Sequence, residues 1–177
     1  MGQQFPPDFV SYVEQDAHLG TNLLEALNTV SPVSIRKNPG KHAPVLQGEQ
    51  AIQWCNNAFF LNERPVFTLN PLFHAGTFYP QEAGSMLLDY ILRSIELPEQ
   101  PIALDLCAAP GGKSTLIASF LNGNGLLIAN EVINQRAKIL KENVSKWGYA
   151  NTIVTNNDPS DFARLTALFD LIVVDAP

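Results

Sequence analysis

The chain contains little cysteine and little histidine. Its two cysteines are Cys55 and Cys107, and its three histidines are His18, His42 and His74. None of these residues has a neighbour at the spacing that cysteine and histidine metal sites use. We therefore expect no metal site.

Long apolar runs are also missing. No stretch of about eighteen apolar residues could cross a membrane, and no signal-peptide pattern is present. We expect no membrane association and a reducing, cytoplasmic location. Hydrophobic residues make up 46% of the chain, which is enough to build the core of one domain or slightly more.

Positive charge is scarce as well. Eleven lysines and arginines stand against seventeen acids, which gives a formal net charge of -6. A protein that binds nucleic acid unaided usually carries a basic face. The one basic cluster of residues 1–75, formed by Arg36, Lys37, Lys41 and His42, either contacts phosphate or is a solvated loop. If the partner is a nucleic acid, the basic surface is local or lies outside this sequence.

The most informative segment is a strand, a glycine turn and a helix start. Ile102–Leu106 is a short apolar run, typical of a parallel strand buried on both faces. Pro110 and the glycine pair after it end the strand and let the backbone approach a ligand closely. Lys113–Asn122 then predicts a helix whose first amides can bind a carboxylate or phosphate. Two glycines alone would also fit an ordinary capped turn.

Two nucleotide-binding motifs can be compared with this turn. A P-loop requires glycine where the chain has Cys107, and the dinucleotide motif Gly-x-Gly-x-x-Gly is absent. Glu131 follows a second apolar run, about twenty residues after the turn, where an acid can accept from the two hydroxyls of a ribose. S-adenosylmethionine meets both conditions, with its carboxylate at the helix start and its ribose at the acid. Capping of the next helix is the alternative role for Glu131.

The second part of the chain alternates helices and strands. Right-handed crossovers between its apolar runs predict an α/β fold with a parallel, Rossmann-like sheet. The predicted elements are helix 81–95, strand 102–106, helix 113–122, strand 126–129, helix 133–147, strand 152–155 and strand 171–174. Glu131, Asp158 and Asp175 follow strands, so they should meet at the carboxyl ends of the sheet. Asp158 could instead be a turn residue that binds its own backbone.

The first part of the chain has a different pattern. Proline and glycine interrupt every long element between residues 30 and 75, which predicts a small α+β appendage. We expect helices before residue 30 and short strands at 33–36, 58–61 and 66–69. The predicted division is therefore an appendage at residues 1–75, with a possible RNA contact, and a Rossmann-like part at residues 76–177.

Several segments resemble the Sun-type RNA cytosine-5 methyltransferases, in particular the branch that acts on bacterial ribosomal RNA. Asp105–Thr115 (DLCAAPGGKST) is similar to the cofactor motif of that family, and Asn130-Glu131 with Arg136 is similar to its second motif. Residues 76–88, residues 34–38, Trp54-Cys55 and the stretch 170–177 (DLIVVDAP) resemble further segments. The resemblance covers residues 30 to 177, and its motifs are far more specific than a glycine pair.

The resemblance implies an S-adenosylmethionine-dependent enzyme that methylates carbon 5 of a cytosine in RNA, with ribosomal RNA as the expected partner. It places the cofactor contacts on Cys107, Ala108, Ala109, Pro110, Gly111, Gly112, Lys113, Glu131, Arg136, Asp158 and Asp175. Lys113 and Asp175 would also face the target cytosine as catalytic residues. Asp158 would accept from the adenine amino group. Gln81 and Ser85 would help to shape the pocket.

The implied chemistry requires cysteine. A thiolate adds to the ring carbon beside the methyl acceptor, and a second cysteine helps to release the enzyme. The family places one of these thiols directly after the Asp-Ala-Pro that ends at Pro177, and neither expected cysteine lies within the chain. We interpret the chain as an N-terminal piece, with a sheet truncated after its fourth strand, and expect the 177 residues alone to be inactive.

Two alternatives stay open. One is a methyltransferase that uses the same cofactor on a different substrate. The other is a non-catalytic module that binds cofactor or RNA.

Overall fold

The computed structural model describes residues 5–16, 18, 20–43, 46 and 48–176. Contacts divide the chain into two compact units, one up to Pro32 and one from Val33 onward. The first unit contains two helices that pack against each other, α1 (Pro7–Gln15) and α2 (Gly20–Leu27). As predicted, α1 begins with a proline and an acid in its first turn, which favour a helix N-terminus.

The second unit contains two four-stranded sheets and four helices among its described residues. In chain order its elements are β1 (Val33–Lys37), β2 (Gln50–Ala51), β3 (Ala58–Leu61), α3 (Pro71–His74), β4 (Phe78–Pro80), α4 (Leu87–Ser94), β5 (Ile102–Asp105), α5 (Gly112–Leu121), β6 (Leu126–Asn130), α6 (Asn134–Trp147), β7 (Thr152–Thr155) and β8 (Leu171–Val173). None of the helices described is long and apolar enough to cross a membrane. The boundary placed near residue 75 separates most of the first sheet from the second and stays a prediction.

The first sheet is antiparallel, with strand order β2-β3-β1-β4. Successive side chains of a strand point to opposite faces, and the two faces of β1 differ in polarity. Ile35 is fully buried in an apolar core. Ser34, Arg36 and Asn38 alternate with it and are buried as well. β1 therefore buries one apolar face and one polar face.

The polar face of β1 corrects the interpretation of the basic cluster. Arg36 is 2% exposed, so it belongs neither to a phosphate-binding surface nor to a solvated loop. Lys37 Nζ pairs with Glu49 at 2.7 Å, and Lys41 Nζ donates to main-chain oxygens at 2.5 and 2.7 Å. Only His42 among the four is exposed. For Arg36 the prediction was wrong, because a count of charges does not show the inward direction set by strand alternation. A phosphate contact by Lys37, Lys41 or His42 stays a prediction.

The strand predicted at 66–69 is also wrong. Phe67–Leu69 is a short 3₁₀ turn, in which Phe67 is buried and Leu69 is 80% exposed. The next residue, Asn70, is the N-cap of α3, and its Oδ1 accepts from the Leu72 amide at 2.9 Å. An asparagine cap followed by proline starts a helix. This local signal outweighs the apolar character of the preceding residues.

The second sheet is parallel, with strand order β7-β6-β5-β8. Each strand agrees with its predicted range to within one residue at either end. Ala103 and Leu127 are completely buried in the largest core cluster, which also contains residues of α5. The predicted α/β fold with a Rossmann-like parallel sheet is confirmed.

Two helix ends show how local sequence sets the boundaries. α6 ends at Gly148, which has a φ of +93° and donates its amide to Val144 O, as a glycine stop should. α4 begins later than predicted. The Glu82 carboxylate accepts from the Gly84 and Ser85 amides at 2.7 Å each, and a 3₁₀ turn at Gly84–Met86 precedes the helix.

Candidate active site

A cavity opens at the carboxyl ends of the parallel strands. Its volume is about 400 Å³, and it is lined by Leu106, Cys107, Ala109, Glu131, Val132, Ile133, Arg136, Pro159, Asp175 and Ala176. These residues follow β5, β6, β7 and β8, so every strand of the sheet contributes. Ligands of open α/β sheets bind at this end of the strands. Of the three acids predicted to meet at this edge, Glu131 and Asp175 line the cavity and Asp158 does not.

A second cavity, of about 230 Å³, lies next to the first. The two share Cys107, Ala109 and Asp175 in their linings. The second cavity also reaches Lys113 and Gln81, together with Tyr79, Pro80, Glu82, Ser85, Ala108, Pro110 and Gly112. Because they share part of their lining, the two cavities form adjacent lobes of one depression, a larger and a smaller one. Gln81 and Ser85 line the smaller lobe, whereas Gly111 and Asp158 are in neither lining.

The glycine turn fixes the floor of this depression. Gly111 has a φ of +113°, a conformation that side chains rarely adopt, and a Cβ there would lie 3.3 Å from Leu140 Cδ1. Gly111 is the N-cap of α5, and no side chain caps the helix. The first amides of this ten-residue helix can therefore receive a carboxylate, which the helix dipole also favours. The turn fits the amino-acid end of S-adenosylmethionine.

Glu131 supplies the acidic wall of the larger cavity. The residue is 3% exposed, and its Oε1 accepts from the Ile133 amide at 2.9 Å. Oε2 lies 3.6 Å from Arg136 Nη1, and Arg136 Nη2 donates to Ala109 O at 2.8 Å. Arg136 therefore ties the acid to the glycine turn. An ionised carboxylate has about four lone-pair sites, so Glu131 can order its own loop and still accept from ribose hydroxyls.

Asn130 holds the strand ends around Glu131 together. It is completely buried, and its Nδ2 donates to Leu106 O at 3.3 Å and Asn157 O at 3.0 Å. Its Oδ1 accepts from Thr155 Oγ1 at 2.9 Å and from the Asn157 amide at 3.0 Å. This side chain links the ends of β5, β6 and β7. Its fully used hydrogen-bonding groups make the cavity wall rigid.

Asp158 is exposed and caps the 3₁₀ turn Pro159–Arg164. Its Oδ1 accepts from the Ser160 amide at 2.9 Å and from Ser160 Oγ at 2.6 Å, and these bonds hold the pKa of the carboxyl below its usual value. The lining of the larger cavity includes Pro159 but not Asp158. The geometry therefore matches the turn role, and acceptance from an adenine amino group stays a prediction.

Lys113 and Asp175 form an ion pair at the mouth of the site. Lys113 Nζ lies 2.5 Å from Asp175 Oδ2, which joins the first turn of α5 to the end of β8. Asp175 keeps 60% of its side chain exposed, so a base entering the depression could contact it. Lys113 does not simply extend along its helix, because its ammonium group is aimed at the sheet.

Asp105 was not predicted as a site residue. It is completely buried at the end of β5, and its Oδ2 accepts from Ser114 Oγ at 2.6 Å. Among the described residues, none hydrogen-bonds to its Oδ1. Burial raises its pKa to about 6, partly opposed by the Ser114 hydrogen bond and the Lys113 charge. The sequence did contain a signal, because Asp105 is an acid at the end of an apolar strand, directly before the glycine turn. Asp175 was predicted from the same feature, an acid at the end of an apolar strand.

The two cysteines occupy different environments. Cys55 is buried in the main core, and desolvation together with Asp89 raises its pKa to about 11. Cys107 is partly exposed and lines both lobes of the site. In the part of the chain that the structure describes, no three His, Cys, Asp or Glu side chains come together as a possible metal site.

Two family models match the chain. Residues 93–177 match the 16S rRNA methyltransferase RsmB/F family. Residues 5–83 match the N-terminal domain of 16S rRNA methyltransferase RsmF. Together they account for both the glycine turn and the antiparallel sheet.

Curated relatives agree with these models. Ribosomal RNA small subunit methyltransferase F of Shewanella piezotolerans is 38% identical over 130 residues, which is 71% of this chain and 27% of the relative. The protein of the same description from Erwinia tasmaniensis is 32% identical over 192 aligned residues, or 98% of this chain and 40% of the relative. The chain thus spans well under half the length of these relatives.

Solved structures show the same fold. A methyltransferase homolog protein from Pyrococcus horikoshii has a TM-score of 0.78 and 26% identity, over 98% of this chain and 59% of that chain. NSun6 from the same organism, solved with the S-adenosylmethionine analogue SFG, has a TM-score of 0.58 and 32% identity, over 64% of this chain and 29% of that chain. The resemblance to Sun-type methyltransferases and the predicted cofactor, S-adenosylmethionine, are confirmed. The chain belongs to the RsmB/F family of 16S rRNA methyltransferases.

Proposed function

We propose that the chain carries the cofactor site and part of the catalytic site of an enzyme that methylates carbon 5 of a cytosine in ribosomal RNA. The observation that carries the proposal is the two-lobed depression. Glu131 lines one lobe and Lys113 the other, while Asp175 lines both. A nucleoside and a reacting base therefore have adjacent places. An RNA substrate of this kind implies a cytoplasmic location.

The cofactor site extends from the larger lobe to the glycine turn in the smaller lobe, and it is assigned from the donors and acceptors present. The amides at the start of α5 receive the carboxylate, and Glu131 accepts from the ribose hydroxyls. Cys107, Ala108, Ala109 and Pro110 form the wall between them, and Arg136 holds that wall through Ala109 O. Asp158 is the proposed acceptor for the adenine amino group. Once bound, S-adenosylmethionine supplies an electrophilic methyl group on a sulfonium.

The site of the reacting base is assigned to Lys113 and Asp175, beside the glycine turn. A pyrimidine ring that accepts a thiolate at the carbon beside the methyl acceptor develops negative charge towards its ring nitrogen and carbonyl. Asp175 faces the ring nitrogen and can pass it a proton taken up from solvent, and the ammonium of Lys113 stabilises the charge on the adduct. Because the two groups are paired at 2.5 Å, the incoming base meets a preformed pair of polar groups.

The attacking thiolate is not assigned to either cysteine of the chain. Burial keeps Cys55 protonated, with its pKa raised to about 11, and it lines neither lobe. Cys107 lies in the turn after β5, where the nucleoside would cover it. We therefore propose that the nucleophile comes from sequence beyond the motif Asp175-Ala176-Pro177, and that the 177 residues alone transfer no methyl group.

Residues 1–75 are proposed as an appendage that helps to present the RNA. The inward direction of Arg36 and the pairing of Lys37 leave little free positive charge on it. Most of the phosphate contacts are therefore proposed to come from other parts of the natural protein.

The direct experiment is transfer of labelled methyl groups to ribosomal RNA, followed by mapping of the modified atom. The full natural protein should place the label on carbon 5 of a cytosine, and the 177-residue chain should bind S-adenosylhomocysteine without transferring label. Label on another base or another atom would support the alternative substrate. Cofactor binding without transfer by the full protein would support the non-catalytic module. Transfer by the 177-residue chain would refute the assignment of the nucleophile.

A further inference from the structure

The guanidinium of Arg36 is a deeply buried charge, since the residue is 2% exposed. Nε donates to Gln81 Oε1 at 3.1 Å, and Nη2 donates to Gly112 O at 3.1 Å and to Thr115 Oγ1 at 2.6 Å. Its Cζ lies 4.6 Å from the centre of the Trp147 ring. Burial lowers its pKa to about 10, so the group stays protonated at neutral pH. No carboxylate pairs with it among the residues described.

The position of this charge is unfavourable for α5 itself. A cation near a helix N-terminus opposes the helix dipole, and a buried cation without a counter-ion costs solvation energy. It is compensated by main-chain and hydroxyl oxygens of the first turns of α5, by the Gln81 carbonyl oxygen and by the Trp147 ring, and the nearby charge of Asp89 also favours it. The positive charge of Arg36 and the partial positive charge at the start of α5 both favour an anion bound at the glycine turn. The arrangement therefore suits a site that must hold a carboxylate.

Arg36 also sets the orientation of Gln81. Because Nε of Arg36 is a donor, it selects the Gln81 carbonyl oxygen, and the amide nitrogen faces Ser85 Oγ at 3.2 Å. Ser34 fixes the Gln81 main chain through bonds of 2.6 and 3.2 Å. A Cβ on Gly112 would lie 3.5 Å from Gln81 Cδ, so this side chain covers the glycine turn. The Gln81 amide is presented to the smaller lobe as a donor.

We propose that Arg36 is a positioning residue for the amino-acid end of the cofactor. It joins β1 to the first turn of α5 and to Gln81, and thereby fixes both walls that meet the cofactor carboxylate. The proposal rests on the proposed function, because it assumes that S-adenosylmethionine occupies this turn. It assigns a role to the antiparallel sheet that is independent of RNA.

The proposal predicts different effects on the affinities for two ligands. S-adenosylhomocysteine carries the amino-acid end, whereas methylthioadenosine keeps the nucleoside and the thioether but lacks that end. Arg36→Met removes the charge-assisted contacts to Gly112, Thr115 and Gln81, and it should weaken the binding of S-adenosylhomocysteine about tenfold. It should change the affinity for methylthioadenosine by less than about twofold. Arg36→Lys keeps the charge without the planar fork and should fall between Arg36→Met and wild type. A structural role alone would weaken both ligands equally.

The measurement is calorimetry on the full natural protein, with thermal unfolding of each variant as a check. Arg93→Met is the control, since Arg93 is a partly exposed arginine paired with Asp89 and lies outside both lobes. It should leave both affinities unchanged. If Arg36→Met does not fold, Thr115→Val and Gln81→Leu replace it. Each should weaken the binding of S-adenosylhomocysteine about threefold and leave the affinity for methylthioadenosine unchanged.

Each outcome has a distinct meaning. Equal losses for the two ligands, or no loss for S-adenosylhomocysteine, would overturn the role of Arg36. Failure of the wild-type protein to bind S-adenosylhomocysteine would instead overturn the proposed function. Selective loss with partial recovery in Arg36→Lys would establish the positioning role.

Discussion

The two sheets of the second unit bury their polar residues in different places. In the parallel sheet, the polar groups Asp105, Asn130 and Glu131 lie at the strand ends, beside a cavity. In the antiparallel sheet, Arg36 and Asn38 lie within or directly after a strand and face the helices of the parallel sheet. Buried polarity at a strand end marks the ligand site, whereas buried polarity along a strand face joins the two sheets.

The contrast also appears in how completely the polar atoms are used. Asn38 Nδ2 donates to Gly76 O at 3.0 Å and to Trp147 O at 2.8 Å, and its Oδ1 accepts from the Gly40 amide at 2.9 Å. Asp105 Oδ1 has no hydrogen-bond partner among the described residues. A satisfied group stabilises the fold, and an unsatisfied one leaves an acceptor next to the site. A substitution in one of these regions should therefore change either ligand binding and turnover or stability, and measuring both kinds of property separates the two roles.

The largest effect is expected at Asp175. Asp175→Asn in the full natural protein should lower turnover by about 10²–10⁴-fold, because a proton donor to the base is lost. Cofactor affinity should change by less than about threefold, since the ribose and carboxylate contacts remain. Single-turnover transfer of labelled methyl groups and calorimetry measure the two quantities. Asp161→Asn, at an acid on the 3₁₀ turn outside both lobes, is the control. Equal losses in turnover and affinity would show that Asp175 contacts only the cofactor and not the base.

The next largest effect is expected at Glu131. Glu131→Ala should make the binding free energy of S-adenosylhomocysteine less favourable by about 1.5–3 kcal/mol, because hydrogen bonds to a charged acceptor are lost. Calorimetry provides the affinity. Glu142→Ala removes an exposed acid that pairs with Lys146 on α6 and should have no effect on binding. Unchanged affinity in Glu131→Ala would remove this residue from the ribose site.

Asn38→Ala tests the seam between the sheets. Truncation leaves the carbonyls of Gly76 and Trp147 without their buried donor, and this should reduce the free energy of unfolding by about 1–3 kcal/mol. Under conditions where the variant is folded, its affinity for S-adenosylhomocysteine should equal that of the wild type. Denaturant titration and calorimetry give the two values, with the exposed Asn62→Ala as the control. A loss of affinity without loss of stability would show that the seam belongs to the ligand site.

Asp105 predicts a pH dependence. Its pKa in the folded protein is raised to about 6 from an ordinary value of 3.8, so the folded state binds the proton more tightly than the unfolded state. Stability should therefore decrease as the pH rises from about 4 to about 6, at up to roughly 1.4 kcal/mol per pH unit, and then level off. Comparison of wild type with Asp105→Asn by denaturant titration across this range isolates the contribution. A difference in stability between wild type and Asp105→Asn that stays constant across this pH range would refute the raised pKa.

The parallel sheet could be predicted almost residue by residue. Its strands are apolar runs buried on both faces, and glycine, proline or asparagine marks most of their ends, as at Gly125 and Pro110. The site acids could be predicted for the same reason, because an acid directly after such a strand, like Asp175, lies at a known edge of the sheet.

The antiparallel sheet could be predicted only in part. β2 and β4 contain two and three residues, too few for a periodic pattern. The inward direction of Arg36 depends on helices that follow much later in the chain, α5 and α6. Asp105 was missed because it lies inside the cofactor motif, where the glycines dominate the interpretation. Tertiary contacts, rather than local propensity, decide these three features.

The central claim is that the strand ends of the parallel sheet form the cofactor site and the polar face of β1 does not contact the cofactor. Hydrogen–deuterium exchange of the full natural protein with and without S-adenosylhomocysteine tests this most directly. The account predicts slower exchange at the amides of Gly112–Ser114 and at Glu131–Ile133, with little change in β1 and β3. Slower exchange confined to the antiparallel sheet, with none at the glycine turn, would contradict it.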